Sequence, residues 1–146
     1  MRRAVVLASL LALASGVAIA QNADVIKQRK ELFKAMGGAA GPMGKVMRGE
    51  EAFDLAKVQA GLKTIAENNQ KVAKLFPADS KEGGETKALP AIWSDKAKFD
   101  AIFTKLDAAV AAAIPAIKDE ASFKAEAPKV LGNCGACHND FRQKNN

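Results

Sequence analysis

A chain of 146 residues, 49% hydrophobic and 26% charged, is long enough to form one domain with a buried core. Its formal net charge is +6 at neutral pH, and the basic residues are spread along the whole chain. No basic cluster is interleaved with aromatic residues, which argues against a nucleic-acid-binding surface. The sequence therefore predicts a single folded domain whose chemistry must be inferred from its motifs.

The first twenty residues have the three parts of a secretory signal peptide. Arg2 and Arg3 form a basic start, and residues 4–14 form an apolar stretch. This stretch is shorter than the ~20 apolar residues of a membrane-spanning helix, although a retained membrane anchor is the alternative. Ala18-Ile19-Ala20 fits a small-x-small cleavage site. We predict a signal peptide at 1–20, a mature domain at 21–146 in the bacterial periplasm, and no membrane association after cleavage.

The first helical segment of the predicted mature chain runs from Asp24 to Arg48. Its apolar residues recur at spacings of three, four and seven, as they do on one face of a helix. Asp24 is the expected N-cap. Glycine and proline at positions 37–38 and 41–42 predict a kink or a loosened turn in the middle of this helix.

The second segment, from Asp54 to Phe76, has the clearest helical pattern. Its core-facing residues follow a 3-4-3-4 rhythm, which is typical of an amphipathic helix. These residues are Leu55, Val58, Leu62, Ile65, Asn69, Val72 and Phe76. Pro77 is expected to end the helix. The following stretch, 77–90, contains glycines and several charges and predicts a surface loop.

Two further helical segments complete the chain. The third begins near position 90 or 94 and continues to Ile117, and Pro115 is expected to bend or end it. The fourth opens near Ser122 and extends to Arg142. Four helices of about 20 residues with mostly short connections predict an all-α fold, an antiparallel four-helix bundle.

The run Cys134-Gly135-Ala136-Cys137-His138 is the most specific feature of the chain and contains its single histidine. Cys-x-x-Cys-His is the attachment signature of a c-type haem. The two thiols add across the vinyl groups of the haem, and the histidine gives an axial nitrogen to the iron. On a helix, positions i, i+3 and i+4 share one face, so all three side chains can point at one flat ligand. The motif predicts one covalently bound haem c, attached through Cys134 and Cys137, with His138 as the metal ligand.

Other interpretations of the same residues are weaker. A structural zinc site needs four nitrogen or sulfur ligands, and the chain has two cysteines and one histidine. A thioredoxin-like pair would lie at the start of a helix after a strand, and no strand pattern precedes Cys134. A structural disulfide remains the plain alternative for an exported chain, but two cysteines three positions apart on a helix would close a very short loop.

A longer set of residues agrees with this assignment and extends it to the whole mature chain. These residues are the run from Asn133 to Arg142, the early Ile26-Lys27-Gln28-Arg29 with Met36-Gly37 beyond it, and Pro90-Ala91-Ile92-Trp93-Ser94-Asp95. With them the chain resembles the cytochrome c′ family, the four-helix class of c-type cytochromes. One departure is Phe141, where many members carry tyrosine; the change removes a hydroxyl and keeps the aromatic packing.

The family divides on the sixth position of the iron. Cytochromes c′ leave it without a protein ligand beneath an apolar side chain of the first helix, whereas relatives of the c-556 kind place a methionine there. Counted from Arg29 and Met36, the residue in that position here is Phe33, which cannot bind iron, so the resemblance implies five-coordinate, high-spin haem. The residues alone leave Met36, Met43 and Met47 open as ligands, because a thioether binds haem iron.

The resemblance also assigns weaker roles around the haem. Arg29 matches an arginine that contacts a propionate, a pairing that suits a guanidinium. Lys30 and Glu85 match positions that touch the haem edge, and Arg142 matches an arginine beside the proximal imidazole. Each of these charges has the alternative of being an ordinary surface residue. Trp93 is interpreted as core or haem-wall packing.

The implied function is a periplasmic haem protein that binds nitric oxide and CO, with a role in NO binding or tolerance and electron transfer as a secondary activity. An apolar pocket without hydrogen-bond donors stabilises dioxygen poorly, whereas NO and CO need less help. The alternative is a low-spin, c-556-type electron carrier with Met36 as sixth ligand. We do not expect an enzyme, because no acid–base residue for peroxide cleavage lies near Phe33.

The expected partners are the small gases and an unidentified periplasmic redox partner. The resemblance further implies a homodimer built mainly from the first two helices. Apolar residues at the turn between these helices, Phe53 and Leu55, give this a modest physical motive.

Overall fold

The computed structural model describes the backbone of residues 2–144 and the side chains of residues 22–144. The helices are α1 (Arg2–Met47), α2 (Leu55–Val72), α3 (Ala91–Ser94), α4 (Lys96–Ala116) and α5 (Glu120–Phe141). The four long helices form a bundle in which α1 packs on α2, α2 on α4, α4 on α5, and α5 back on α1. The predicted all-α four-helix bundle is confirmed.

Helix α1 differs from its prediction at both of the points where a break was expected. The predicted N-cap at Asp24 is wrong, because the backbone is already helical from Arg2 and Asp24 lies inside α1. The helix also continues through positions 37–42, with Pro42 inside it. Burial of Met36, Met43 and Val46 against the core stabilises this stretch despite its glycines.

The predicted signal peptide, 1–20, lies outside the residues whose side chains are described, so its assignment stays a prediction. Within the part of the chain that the structure describes, none of the helices combines the length and the apolar character needed to cross a membrane.

Helix α2 confirms the predicted core face and corrects the predicted end. Its buried residues are those of the 3-4-3-4 rhythm: Val58, Leu62, Ile65, Asn69 and Val72. The Asp54 carboxylate caps the helix by accepting from the Lys57 amide at 3.0 Å. The helix ends at Val72, before the expected Phe76, because a turn follows in which the Leu75 amide donates to the Val72 carbonyl at 3.0 Å. The predicted core-facing position of Leu55 is wrong, because this residue stays 38% exposed in the first turn of the helix.

The third predicted helix is two helices with a break at Asp95. The backbone of Asp95 has φ −129° and ψ 57°, which is not helical, and its carboxylate accepts from the Lys98 amide at 3.2 Å to cap α4. Pro115 lies one residue before the end of α4, as predicted. Helix α5 begins with a capping box between Asp119 and Ser122.

The segment between α2 and α3 is more than the predicted surface loop. It reaches across the molecule to the end of α5, where the Leu89 amide donates to the Phe141 carbonyl at 3.0 Å and the Gln143 amide to the Lys87 carbonyl at 2.8 Å. Ser80 of this segment is fully buried. We call residues 77–90 the strap, since they tie α1 and α5 together over the same end of the bundle.

An aromatic cluster supports this end of the bundle from three directions. The ring of Phe99 on α4 meets Phe76 at 4.7 Å, Phe103 at 4.9 Å and Phe141 at 5.1 Å between centroids. All three contacts are edge-to-face, the arrangement that aromatic quadrupoles favour. The cluster therefore forms a rigid wall behind the space that α1, α5 and the strap enclose.

Candidate functional site

A cavity of about 970 Å³ lies between α1, the strap, α4 and the end of α5. This volume is at the upper end of the range of about 300–1,000 Å³ that ligand pockets span, so it suits a large cofactor. It brings together nine of the ten residues that the sequence predicts as site residues: Arg29, Lys30, Phe33, Met36, Glu85, Cys134, Cys137, His138 and Arg142.

Trp93 is the predicted site residue that does not line the cavity. Its indole N–H donates to the carbonyls of Phe76 and Pro77, at 3.2 and 3.1 Å. Its ring lies 6.2 Å from that of Phe76, which does line the cavity. Trp93 therefore packs behind the cavity wall, and its hydrogen bonds fix the turn at which the strap begins.

The Cys-x-x-Cys-His run forms the last turns of α5 and faces the cavity. Both cysteines are unpaired and half-buried, and Cys137 packs against the hydrophobic core. Burial raises the pKa of both thiols, that of Cys137 to about 11, with the charge of the neighbouring Cys134 thiol as a second cause. At neutral pH both side chains are therefore protonated thiols that face one space.

His138 lies beside these thiols on the same wall. Partial burial lowers the pKa of its imidazole, and the nearby Arg142 cation lowers it further. The imidazole is thus neutral around pH 7 and has a nitrogen available to coordinate a metal. Among the described side chains, no three His, Cys, Asp or Glu residues gather as a metal-holding group.

Another wall of the cavity comes from one face of α1. Phe33, Met36, Gly37 and Ala40 all line the cavity at the i, i+3, i+4 and i+7 spacing of a helical face. Phe33 is half-buried and meets the ring of Phe76 edge-to-face at 6.3 Å. Met36 is only 8% exposed. Phe33 and Met36, two of the side chains that the sequence offers for the sixth iron position, therefore lie one helical turn apart on the same wall. The other two methionines of the prediction, Met43 and Met47, do not line the cavity.

Arg29 is buried at the edge of the cavity and holds the strap. Its Nη1 donates to the Leu75 carbonyl and the Ser80 hydroxyl, both at 3.2 Å. Its Nη2 donates to the Thr86 hydroxyl at 2.8 Å and the Ser80 carbonyl at 3.3 Å, and the guanidinium lies 4.5 Å over the ring of Phe76. Burial lowers its pKa. Sequence reasoning missed Ser80 and Thr86, since no periodicity links them to α1.

Asn69 is a second residue whose role the sequence did not reveal. It is fully buried and lines the inner end of the cavity. Its Nδ2 donates to the Phe103 carbonyl at 2.9 Å and to the Asp107 carboxylate at 2.7 Å, which fixes the orientation of the amide. The Asn69 Oδ1 has no hydrogen-bond partner. Both N–H groups are therefore committed to α4 and are not available to a ligand in the cavity.

The donor set fits a c-type haem. Two thiols and an imidazole nitrogen lie on one wall, aromatic and aliphatic side chains cover the rest, and cations stand at the edge where carboxylates of a haem would need partners. A four-helix bundle with this site at the end of its last helix belongs to the class of haem-binding cytochrome bundles.

Comparison with known proteins identifies the family. The family model described as Cytochrome C′ matches residues 24–142. The cytochrome c′ of Rhodopseudomonas palustris is 55% identical over 97% of both chains. A solved structure of cytochrome c′ from Rhodopseudomonas palustris superposes with a TM-score of 0.81 at 56% identity and covers 84% of this chain and 98% of the other. The chain belongs to the cytochrome c′ family, whose members carry covalently bound haem c.

Two further relatives bear on the iron's sixth position. The cytochrome c-556 of Rhodopseudomonas palustris is 34% identical over 99% of both chains. A nitric oxide complex of a cytochrome c prime variant from Alcaligenes xylosoxidans superposes with a TM-score of 0.72 at 25% identity, covering 84% of this chain and 97% of the other. Both kinds of cytochrome are thus related to this chain along most of its length.

Proposed function

We propose that this chain holds one haem c with five-coordinate, high-spin iron and that it binds NO and CO. Cys134 and Cys137 form the thioether bonds, His138 is the axial ligand, and Phe33 covers the opposite side of the iron. Haem supplies the metal that binds the gas; the protein supplies the proximal nitrogen and an apolar space. Electron transfer is a secondary activity, and catalysis is not part of the proposal.

The observation that carries this proposal is the apolar character of the cavity wall that α1 and Phe76 form. Phe33, Met36 and Phe76 have no hydrogen-bond donors, and the one buried amide nearby, Asn69, has both N–H groups bound to α4. Dioxygen needs a donor to stabilise the charge it gains on iron, whereas NO and CO bind without one. The wall therefore favours NO and CO.

The relatives support the same reading. The relative at 55% identity is named cytochrome c′, while a relative named cytochrome c-556 stands at 34%. A variant of a related cytochrome c prime forms a complex with nitric oxide. NO binding or tolerance is therefore the physiological role we propose, in the periplasm and after removal of the signal peptide at 1–20.

The alternative is a low-spin electron carrier with Met36 as sixth ligand. Met36 lies one turn from Phe33 on the same cavity wall, so this alternative can be tested directly by substitution. A thioether ligand gives the reduced haem a sharp α band, whereas five-coordinate iron does not. The matched variants are Phe33→Ala and Met36→Leu.

The test is the visible spectrum of the reduced holoprotein and its titration with CO and NO. Phe33→Ala should bind CO about tenfold more tightly, because the gas no longer displaces a ring at a cost near 1.4 kcal/mol. Met36→Leu should keep the parent spectrum, since leucine preserves the volume and removes only the sulfur. A change from a low-spin to a high-spin spectrum in Met36→Leu would replace the proposal with the alternative.

We also propose a homodimer built mainly from α1 and α2. Leu55 is one of two large hydrophobic side chains of the described residues that are exposed by more than a third, and Phe53 beside it is half-buried against Phe123 at 5.5 Å. Sedimentation at micromolar concentration tests this, because an interface of standard size should hold there. A single monomeric species would contradict it.

A further inference from the structure

The net charge of the domain is concentrated at the cavity. Among the side chains of residues 22–144, twenty are basic and sixteen are acidic. Six basic and two acidic side chains line the cavity, so the rest of the described surface carries fourteen of each sign and is neutral. These lining charges are Lys27, Arg29, Lys30, Lys34, Lys87 and Arg142, against Glu31 and Glu85. The whole positive excess therefore surrounds one opening.

Three of these lysines stand at the outer edge of the opening. Lys27 and Lys34 share one face of α1, and Lys87 extends from the strap. All three are exposed, and none has a carboxylate within 4 Å in the part of the chain that the structure describes. We call Lys27, Lys34 and Lys87 the cationic rim. Lys30 differs from them, because it pairs with Glu85 at 3.5 Å.

The rim charges remain when the cofactor is present. Haem c brings two carboxylates, and these can offset at most two of the six cations. The rim lysines have long flexible stems and lie outside the enclosed space, so they face solvent or a partner. Two acidic side chains line the same opening, Glu31 between Lys27 and Lys34 on α1 and Glu85 beside Lys30, but basic side chains outnumber them six to two. A concave opening with such an excess of one sign focuses its field outward and attracts opposite charge.

We propose that the cationic rim docks an acidic surface of a partner protein over the mouth of the cavity. The contact is electrostatic and short-lived, since neither of the large exposed hydrophobics of the described residues, Leu55 and Ile114, lines the cavity. A membrane surface fits less well, because binding in a bilayer interface needs apolar side chains to insert beside the basic ones. Complementary charge of this kind raises association rates and fixes orientation more than it raises affinity.

The docking surface is independent of the gas chemistry proposed above. Binding of an acidic chain to the rim is measured without any gas and without any electron transfer. Failure of the docking test would therefore leave NO and CO binding untouched, and failure of the CO titration would leave the docking result standing.

The experiment uses the holoprotein and a fluorescein-labelled hexaglutamate peptide, followed by fluorescence anisotropy. Binding is measured at ~10 mM and at ~150 mM ionic strength, where the Debye length falls from about 30 to about 8 Å. The test variant changes all three rim lysines, Lys27→Gln, Lys34→Gln and Lys87→Gln. It should bind the peptide about tenfold more weakly at low salt, because three exposed lysines that pair with the glutamates of the peptide are removed.

The matched control removes the same charge from elsewhere: Lys71→Gln, Lys105→Gln and Lys118→Gln. These lysines are exposed, lie outside the cavity lining and have no carboxylate within 4 Å among the described residues. The control should weaken binding several-fold less than the rim variant does at ~10 mM salt, because its lysines lie outside the cavity lining and Coulomb attraction falls with distance from the bound peptide. Circular dichroism verifies that both variants stay folded.

Three outcomes would overturn the proposal. The first is equal weakening in the rim variant and the control, which would mean attraction to net charge alone. The second is the absence of peptide binding at low salt. The third is binding to phosphatidylserine-containing vesicles that depends on the rim while the peptide does not bind, which would assign the surface to a membrane.

Discussion

The two ends of this bundle are built in different ways. At the closed end, the last part of α1, the first part of α2 and the junction of α4 and α5 meet through aliphatic and aromatic packing, with Phe123 and Ala113 fully buried. At the cavity end, α1, α4 and α5 are kept apart around a space of about 970 Å³, and a strap held by Arg29 spans them. The closed end buries side chains against one another; the cavity end substitutes hydrogen bonds and an aromatic wall for part of that packing.

The difference locates stability and function in separate parts of one small domain. In a close-packed interior, shortening a buried side chain lowers the free energy of unfolding. The stability of the closed end should therefore respond to shortened side chains, and the closed end does not contribute to the cavity that would hold a ligand. The cavity end depends on a few polar contacts between segments far apart in sequence, such as Arg29 with Ser80 and Thr86. Variants at the two ends should therefore separate stability from gas affinity.

The largest expected effect is at the closed end, for Phe123→Ala. Phe123 is fully buried, and removing its ring leaves a cavity, so the free energy of unfolding should fall by about 3–5 kcal/mol. CO affinity should stay at the parent value, because Phe123 does not line the cavity. Denaturant unfolding and CO titration of the same preparation check both parts.

Phe99→Ala is the matched change at the other end. It should lower stability by about 3–5 kcal/mol as well, but it also removes the ring that three other aromatics meet at the cavity wall. Its haem spectrum or CO affinity should change along with stability. Identical gas affinities in the two variants would contradict the separation of the two ends.

The second prediction tests how the cavity end is held. Arg29→Met removes a cation whose hydrogen bonds reach three residues, and hydrogen bonds of a charged group contribute about 1.5–3 kcal/mol. The free energy of unfolding should fall by about 2–3 kcal/mol. Amide exchange should accelerate at Leu89 and Gln143, whose bonds join the strap to α5.

Thr86→Val is the smaller version of the same change. It removes the hydroxyl that accepts one hydrogen bond from Arg29, so the free energy of unfolding should fall by about 1 kcal/mol while most of the strap contacts remain. An Arg29→Met variant that loses haem contacts yet shows parent exchange at Leu89 would mean that Arg29 serves the cofactor and does not hold the strap.

Periodicity was sufficient to predict the bundle but not the strap. The buried face of α2 follows directly from the spacing of its apolar residues, because burial and helical repeat act on neighbours in sequence. The haem motif was equally readable, since Cys134, Cys137 and His138 lie within one turn and a half of α5. Both features depend on local sequence, and both were predicted.

The contacts that the sequence did not reveal are polar and non-local. Arg29 bonds to Ser80, 51 positions away, and Asn69 bonds to Asp107, 38 positions away. Asn69 follows the apolar rhythm of α2, so its position predicted burial without its partner. The prediction of an N-cap at Asp24 also failed because it considered one residue alone. A good capping residue starts a helix only where the preceding backbone is not already helical.

The third prediction concerns the closeness of α1 and α2 at the closed end. A Cβ at Gly61 would lie 2.6 Å from the Met43 methyl and 3.3 Å from the Ala39 carbonyl oxygen. The Met43 methyl ends a flexible side chain, but Met43 is buried in the core and the Ala39 oxygen belongs to the backbone of α1, so neither can move away freely. The strain of about 1–3 kcal/mol should outweigh the helix-propensity gain of ~1 kcal/mol, and Gly61→Ala should lower the free energy of unfolding by about 1 kcal/mol. Gly38→Ala meets nothing within 4 Å and should stabilise by about 0.5–1 kcal/mol. Thermal unfolding with the same sign for both variants would contradict this packing.

The smallest expected effect lies in the strap, at Glu85. Its backbone has φ 54°, a left-handed conformation that glycine adopts freely and other residues adopt at a cost of about 1–3 kcal/mol. Its carboxylate pairs with Lys30 at 3.5 Å, but the Glu85 side chain is 93% exposed, so this pair contributes little. Conformation should therefore outweigh charge at this position.

Two substitutions of Glu85 separate these contributions. Glu85→Gln keeps the strained backbone and removes only the charge, so its stability should stay within about 0.5 kcal/mol of the parent. Glu85→Gly relieves the strain but gives the unfolded chain more freedom, which leaves a net gain of about 0.5–1 kcal/mol. Denaturant unfolding of both variants measures the difference. A loss of more than about 1 kcal/mol in Glu85→Gln would mean that the ion pair with Lys30 fixes this part of the strap, and the cavity end would then depend on surface charge more than on backbone conformation.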